Sequence, residues 1–170
     1  MLLTVRVRGS ECHEPDSRLR YTPEDAMTEI LRSDVAAAEG RDGIFAVRAS
    51  GNVRGWNGIR YKSGLSEKNV NAKQLSMNVA TIPPGGVAAA HIHVGFEVML
   101  YILQGRVRHE YGPSLEFTIE NEAGDFIFIE PGVPHEVFNL SETEPVVAVV
   151  ARSDASEWEH IVPFARPAKI

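Results

Sequence analysis

The stretch Gly85-Gly-Val-Ala-Ala-Ala-His91-Ile-His93-Val-Gly-Phe-Glu97-Val-Met-Leu-Tyr-Ile-Leu-Gln-Gly105 decides how the chain is read. Pro83-Pro84-Gly85-Gly86 stops whatever precedes it, and β-branched and aromatic residues between glycines favour extended backbone. His91 and His93 stand two apart. Alternate side chains of a strand point the same way, so the two imidazoles share a face, with Cα atoms about 7 Å apart. That spacing lets both rings reach one ion at roughly 2.0–2.1 Å. Glu97, four residues on, offers an oxygen ligand with the charge that imidazoles lack.

A second stretch, Gly124-Asp-Phe-Ile-Phe-Ile-Glu130-Pro131-Gly132-Val-Pro-His135-Glu-Val-Phe-Asn139, places His135 after a turn stiffened by two prolines and a glycine. Three imidazoles and one carboxylate suit Mn, Fe, Ni, Cu or Zn and leave one or two coordination positions open.

Further strands flank these stretches. Leu75, Met77, Val79 and Thr81 alternate with Gln74, Ser76, Asn78 and Ala80. Strand segments are expected at His91–His93, Glu97–Leu103, Arg106–Tyr111, Glu116–Ile119, Asp125–Ile129, His135–Asn139 and Val146–Arg152. Turn signals separate them at roughly 8–12 residues, the spacing of an antiparallel sandwich or barrel. Residues 40–64 are rich in glycine and read as loop and turn with short extended pieces. Near the start, Leu3, Val5 and Val7 alternate as a strand. Thr22-Pro23-Glu24-Asp25 then opens an amphipathic helix that Gly40 ends. The expected organisation is an N-terminal extension over 1–44, a barrel over 45–154 and a tail over 155–170 packed on it.

Composition narrows the function classes. The 170 residues include 17 Lys and Arg against 23 Asp and Glu, a net charge of −6. Without a basic cluster this disfavours nucleic acid as a partner. Apolar runs such as Val146–Ala151 are too short to cross a bilayer. Cys12 is the sole cysteine, so no intrachain disulfide can form, and with the early Arg6 and Arg8 a cytoplasmic location is expected.

The two stretches together resemble the paired motifs of the cupins, small double-stranded β-helix barrels of jelly-roll topology. The first motif is Gly, five residues, His-x-His, three or four residues, Glu, six residues, Gly. The second is Gly, five residues, Pro-x-Gly, two residues, His, three residues, Asn. The resemblance covers about residues 70–151. It implies a mainly β fold and one divalent transition metal ion held by His91, His93, Glu97 and His135. The chain departs from the first motif in one respect, since seven residues rather than six separate Glu97 from Gly105. Counted back from Gly105 the carboxylate position falls on Val98; counted forward from His93, Glu97 fits. The forward count is adopted, because Glu97 has the face parity of the histidines and Gly95 can form a bulge.

The resemblance implies an enzyme acting on a small anionic organic substrate, by dioxygenase-like, decarboxylase or isomerase chemistry. Glu97, His109 and Tyr101 are the candidate catalytic residues. Phe96, Met99, Tyr101, Phe126, Phe128 and Phe138 are expected to pack the barrel, some lining its mouth. The alternative is a binding module that holds metal or a small ligand without turnover. A homodimer is expected, with the Leu3–Val7 strand as donor to a partner's sheet edge.

Overall fold

The structure is a computed structural model, and it describes residues 36–48, 53–156 and 159–167. The strand expected at Leu3–Val7 and most of the helix expected from Thr22 lie outside the described residues; the end of that helix, expected to run to Gly40, is corrected, because Ala38–Arg41 is extended and pairs as a strand. Thirteen strands and one helical turn are described. β1 (Ala38–Arg41) and β2 (Ile44–Val47) pair as a separate hairpin. Then follow β3 (Val53–Trp56), β4 (Ile59–Leu65), α1 (Glu67–Val70), β5 (Ser76–Ile82), β6 (Val87–His93) and β7 (Val98–Gln104). The chain continues through β8 (Arg106–Tyr111), β9 (Phe117–Glu122), β10 (Phe126–Ile129), β11 (His135–Asn139), β12 (Val146–Arg152) and β13 (Ile161–Pro163).

Two antiparallel sheets face each other, one ordered β10-β7-β12-β5-β4-β3 and the other β13-β6-β11-β8-β9. The result is a mainly β jelly roll. Every strand expected from Leu75 to Arg152 is present to within a few residues at its ends. Residues 40–64 hold more regular structure than their glycines suggest, because β3 and β4 are joined by the tight turn Asn57-Gly58. Both residues have positive φ, 54° and 81°, which is the backbone that twists two strands together. α1 escaped notice because four residues carry no helical period; its Ser66–Asn69 capping box makes the turn.

The core lies between the sheets and includes Ile59, Tyr61, Ile82, Phe96, Val98, Ile102, Val107 and Val150. Ile102 and Val98 are 1% and 2% exposed. Two sets of apolar side chains face outward, against the apolar-inward habit of a strand. In β5 the small and polar set, Ser76, Asn78 and Ala80, is buried, whereas Leu75 and Met77 are exposed. Of the large side chains expected to pack the barrel, Phe96 is buried, but Met99, Phe126 and Phe128 are 56%, 80% and 52% exposed. They stand on the outer face of the six-stranded sheet, where Phe126 pairs across with Tyr101 and Phe128 with Met99. The strand period of two is right in both cases and the side of the sheet is reversed, because this sheet is apolar on both faces.

Candidate metal centre

The five-stranded sheet carries every histidine of interest on adjacent strands. His135 on β11 lies directly opposite His91 on β6, and opposite Tyr111 on β8 on its other side. His93 follows His91 by one full strand period. The three are 3–5% exposed, and one ligand atom from each lies within 4.8 Å of the others. Ring centroids are 5.0 Å apart for His91–His93, 4.3 Å for His91–His135 and 4.7 Å for His93–His135. The convergence expected of these side chains is therefore present.

Two rings are held by the backbone. His91 Nδ1 lies 2.8 Å from the Ala89 carbonyl and His135 Nδ1 lies 2.9 Å from that of Val133. A carbonyl only accepts, so each Nδ1 donates and each Nε2 keeps its lone pair for an ion. Asn57, in the β3–β4 turn, donates its amide to the same Ala89 carbonyl at 2.5 Å and lies 3.3 Å from His91 Nδ1. Trp56 meets the His91 ring edge-on at 5.6 Å, and Phe96 stacks on His93 at 5.1 Å. His93 Nδ1 is buried without a hydrogen-bond partner among the described residues.

The electrostatics keep these rings neutral. Burial lowers the pKa of His91 to about 3 and that of His93 to about 2, with His135 nearby adding to both. Burial also lowers that of His135, and takes His109 to about 4. Neutral imidazole is the form that ligates, so the site is ready for a cation across the physiological range.

Glu97 does not join them. Its side chain is exposed, while its neighbours Phe96 and Val98 are buried. Gly95, at φ 80°, belongs to a turn rather than to a bulged strand, and β7 begins at Val98. The parity argument for Glu97 fails there, since a turn resets which way side chains point. Counted back from Gly105, the position falls on Val98, which lines the cavity beside the histidines. Tyr101 is also outward, against Phe126 at a centroid distance of 4.6 Å. His109 is 5% exposed and does face inward.

A cavity of about 70 Å³ lies between the sheets, walled by Ile and Val side chains and by His91, His93, His109 and His135. A second recess of about 380 Å³, bounded by β9, β10 and the turn before β11, shares His109 and His135 with it. Glu130 stands at that rim. Arg152 and Tyr61 also line the inner cavity, and both were missed in the sequence. Arg152 continues the inward set Val146, Ala148 and Val150 of β12, so the strand period alone places it inside.

Comparison with known proteins agrees with this fold. Residues 78–152 match the cupin domain family model, and the jelly roll described above is the fold of that family. Among solved structures, a recombinant oxalate oxidase in complex with glycolate superposes with a TM-score of 0.58 at 24% identity, covering 73% of this chain and 65% of that one. Oxalate decarboxylase from Bacillus subtilis, studied for its Mn(II) centres, gives 0.53 at 19%, covering 70% and 29%. The Cnp3 cupin domain of Schizosaccharomyces pombe gives 0.54 at 14%, covering 66% and 78%. At these identities the likeness establishes the fold. The chain spans less than two thirds of the length of either oxalate-handling protein. No curated protein matches the sequence.

Proposed function

We propose that the chain is a metal-dependent cupin enzyme acting on a small anionic organic substrate, with His91, His93 and His135 as the metal ligands. The observation that carries this reading is the buried histidine triad, two of whose rings are oriented by backbone carbonyls. Three nitrogen donors and open positions suit a divalent transition ion. Such an ion, when bound, supplies Lewis acidity toward a substrate oxygen. The chain's own part is to exclude water with Ile and Val walls and to orient the substrate. His109, neutral and facing the cavity, takes up or returns a proton. Glu97 takes no part.

Decarboxylation, O2-dependent cleavage and isomerisation all fit such a site, and the oxalate-handling neighbours favour a small acid as substrate. The test is metal analysis of protein purified without chelator, followed by assays of O2 consumption and CO2 release with small acids. One Fe or Mn per chain with turnover supports the enzyme. Stoichiometric Zn or Ni without turnover moves the reading to a binding module.

The single cysteine supports a cytoplasmic setting, and among the described residues no helix is long and apolar enough to cross a membrane. A homodimer is part of the proposal. Its support is now the outer face of the six-stranded sheet, where Met99, Phe126 and Phe128 are exposed together.

A further inference from the structure

We propose that Arg166 is a positioning residue for the histidine triad. From the outer face of the five-stranded sheet it clamps, together with the Phe164 amide, the irregular stretch of β6 that turns His91 inward. This rests on the metal-site reading above and adds the residue that keeps the three rings in register.

β6 is not a regular strand. His135 lies opposite His91 while Val137 lies opposite Ala88, so two steps along β11 match three along β6. The extra residue forms a β-bulge at Ala89–Ala90. Its effect is on facing. Ala88 and His91 both line the cavity, although they stand an odd number of residues apart. A regular strand puts such a pair on opposite faces. The bulge is what lets Ala88, His91 and His93 share the inward side.

A bulge leaves backbone groups outside the ladder, and they need partners. At Ala89 both come from Asn57, whose side-chain amide donates to the Ala89 carbonyl and whose carbonyl accepts from the Ala89 amide at 3.2 Å. At Ala90 the carbonyl accepts from the Phe164 amide at 2.9 Å. The tail of the chain thus holds one side of the bulge.

Across from the bulge, Glu136 separates the inward-facing His135 and Val137 and so stands on the outer face. It lies directly opposite Glu110 on β8. Like charges facing each other across a sheet repel. Arg166 relieves this, since its guanidinium reaches both carboxylates, with Nε 2.9 Å from Glu136. Arg108 pairs with Glu110 alone, at 3.1 Å. The Phe138 ring lies beneath both guanidiniums, 4.8 Å from that of Arg108 and 6.0 Å from that of Arg166. Glu136 adjoins His135 in the chain and Glu110 adjoins His109. Arg166 therefore acts from outside on the strand segments whose inner faces carry the site.

The test separates geometry from charge. By charge alone, removing a positive side chain favours a nearby cation. Arg166→Gln should instead weaken Co(II) binding by about tenfold, measured by competition with a chelator, and change the visible absorption of the bound ion. Removing one carboxylate as well, in R166Q/E110Q, should recover most of that affinity, although charge alone would weaken it further. A wild-type chain that takes up no Co(II) overturns the metal site and this proposal together. Wild-type uptake with equal or tighter binding in R166Q overturns the clamp and leaves the metal site standing. So does R166Q/E110Q binding more weakly than R166Q. Should R166Q fail to fold, Phe164→Pro serves instead, because it deletes the donor to Ala90 and keeps Arg166. F164P should also bind Co(II) about tenfold more weakly; wild-type affinity in that variant overturns the proposal.

Discussion

Four buried histidines make the metal-free protein sensitive to acid. Unfolded, each ring titrates near 6.5; folded, His109, His91 and His93 titrate at about 4, 3 and 2, with His135 lowered too. Between those values the unfolded chain binds more protons than the folded one. Stability is therefore complete above about pH 6.5 and is lost as pH falls, by about 1.4 kcal/mol per pH unit for each ring. Urea denaturation of metal-free protein at pH 7 and pH 5.5 should differ by on the order of 3–5 kcal/mol; equal stabilities would contradict the buried, neutral triad. His93→Ala should abolish retention of the ion on dialysis, and full occupancy would remove His93 from the ligand set. Asn57→Ala leaves all three ligands in place but frees the carbonyl that orients His91. It should weaken metal affinity by roughly tenfold, measured by competition with a chelator.

At the scale of elements, the β3–β4 turn is the tightest constraint near the site. A Cβ on Gly58 would stand 2.1 Å from the Val87 carbonyl oxygen, on a backbone with φ 81°. Gly95 has nearly the same φ, 80°, but nothing within 4 Å. Gly95→Ala should therefore cost about 1–2 kcal/mol from backbone strain alone. Gly58→Ala should cost several kcal/mol, because β6 must also move, and urea midpoints compare the two directly. The same contrast shows what was legible in the sequence. Strands β5 to β12 announced themselves by composition and spacing, and the His91–His93 pair by parity within one unbroken strand. Parity could not be carried from His93 to Glu97 across the Gly95 turn. Nor could it be recovered from Val98-Met-Leu-Tyr-Ile-Leu103, where consecutive apolar residues conceal which side is inward. Arg152 is legible in principle, as the one charge at the inward end of an apolar strand whose period of two runs on to it.

For the whole molecule, the proposed homodimer is tested on the outer face of the six-stranded sheet. Its exposed Met99, Phe126 and Phe128 favour pairing of two copies. Sedimentation should show twice the 18.7 kDa chain mass. Phe126→Glu, on a side chain 80% exposed, should shift it to the monomer without loss of metal. A wild-type monomer would refute the pairing. The other sheet has a different dependence. β13 pairs with β6, setting Ile161 opposite His93 and Pro163 opposite His91. Just beyond, the Phe164 amide donates to the Ala90 carbonyl at 2.9 Å, and Arg166 reaches Glu136 on β11 and Glu110 on β8. The strands bearing the three candidate ligands and His109 are thus laced together by residues that follow every one of them in the chain. During synthesis these residues leave the ribosome after the histidines, so a nascent chain has its histidines before it has the strap that fixes them. The geometry that sets the three rings against one another is accordingly complete only once the strap has closed.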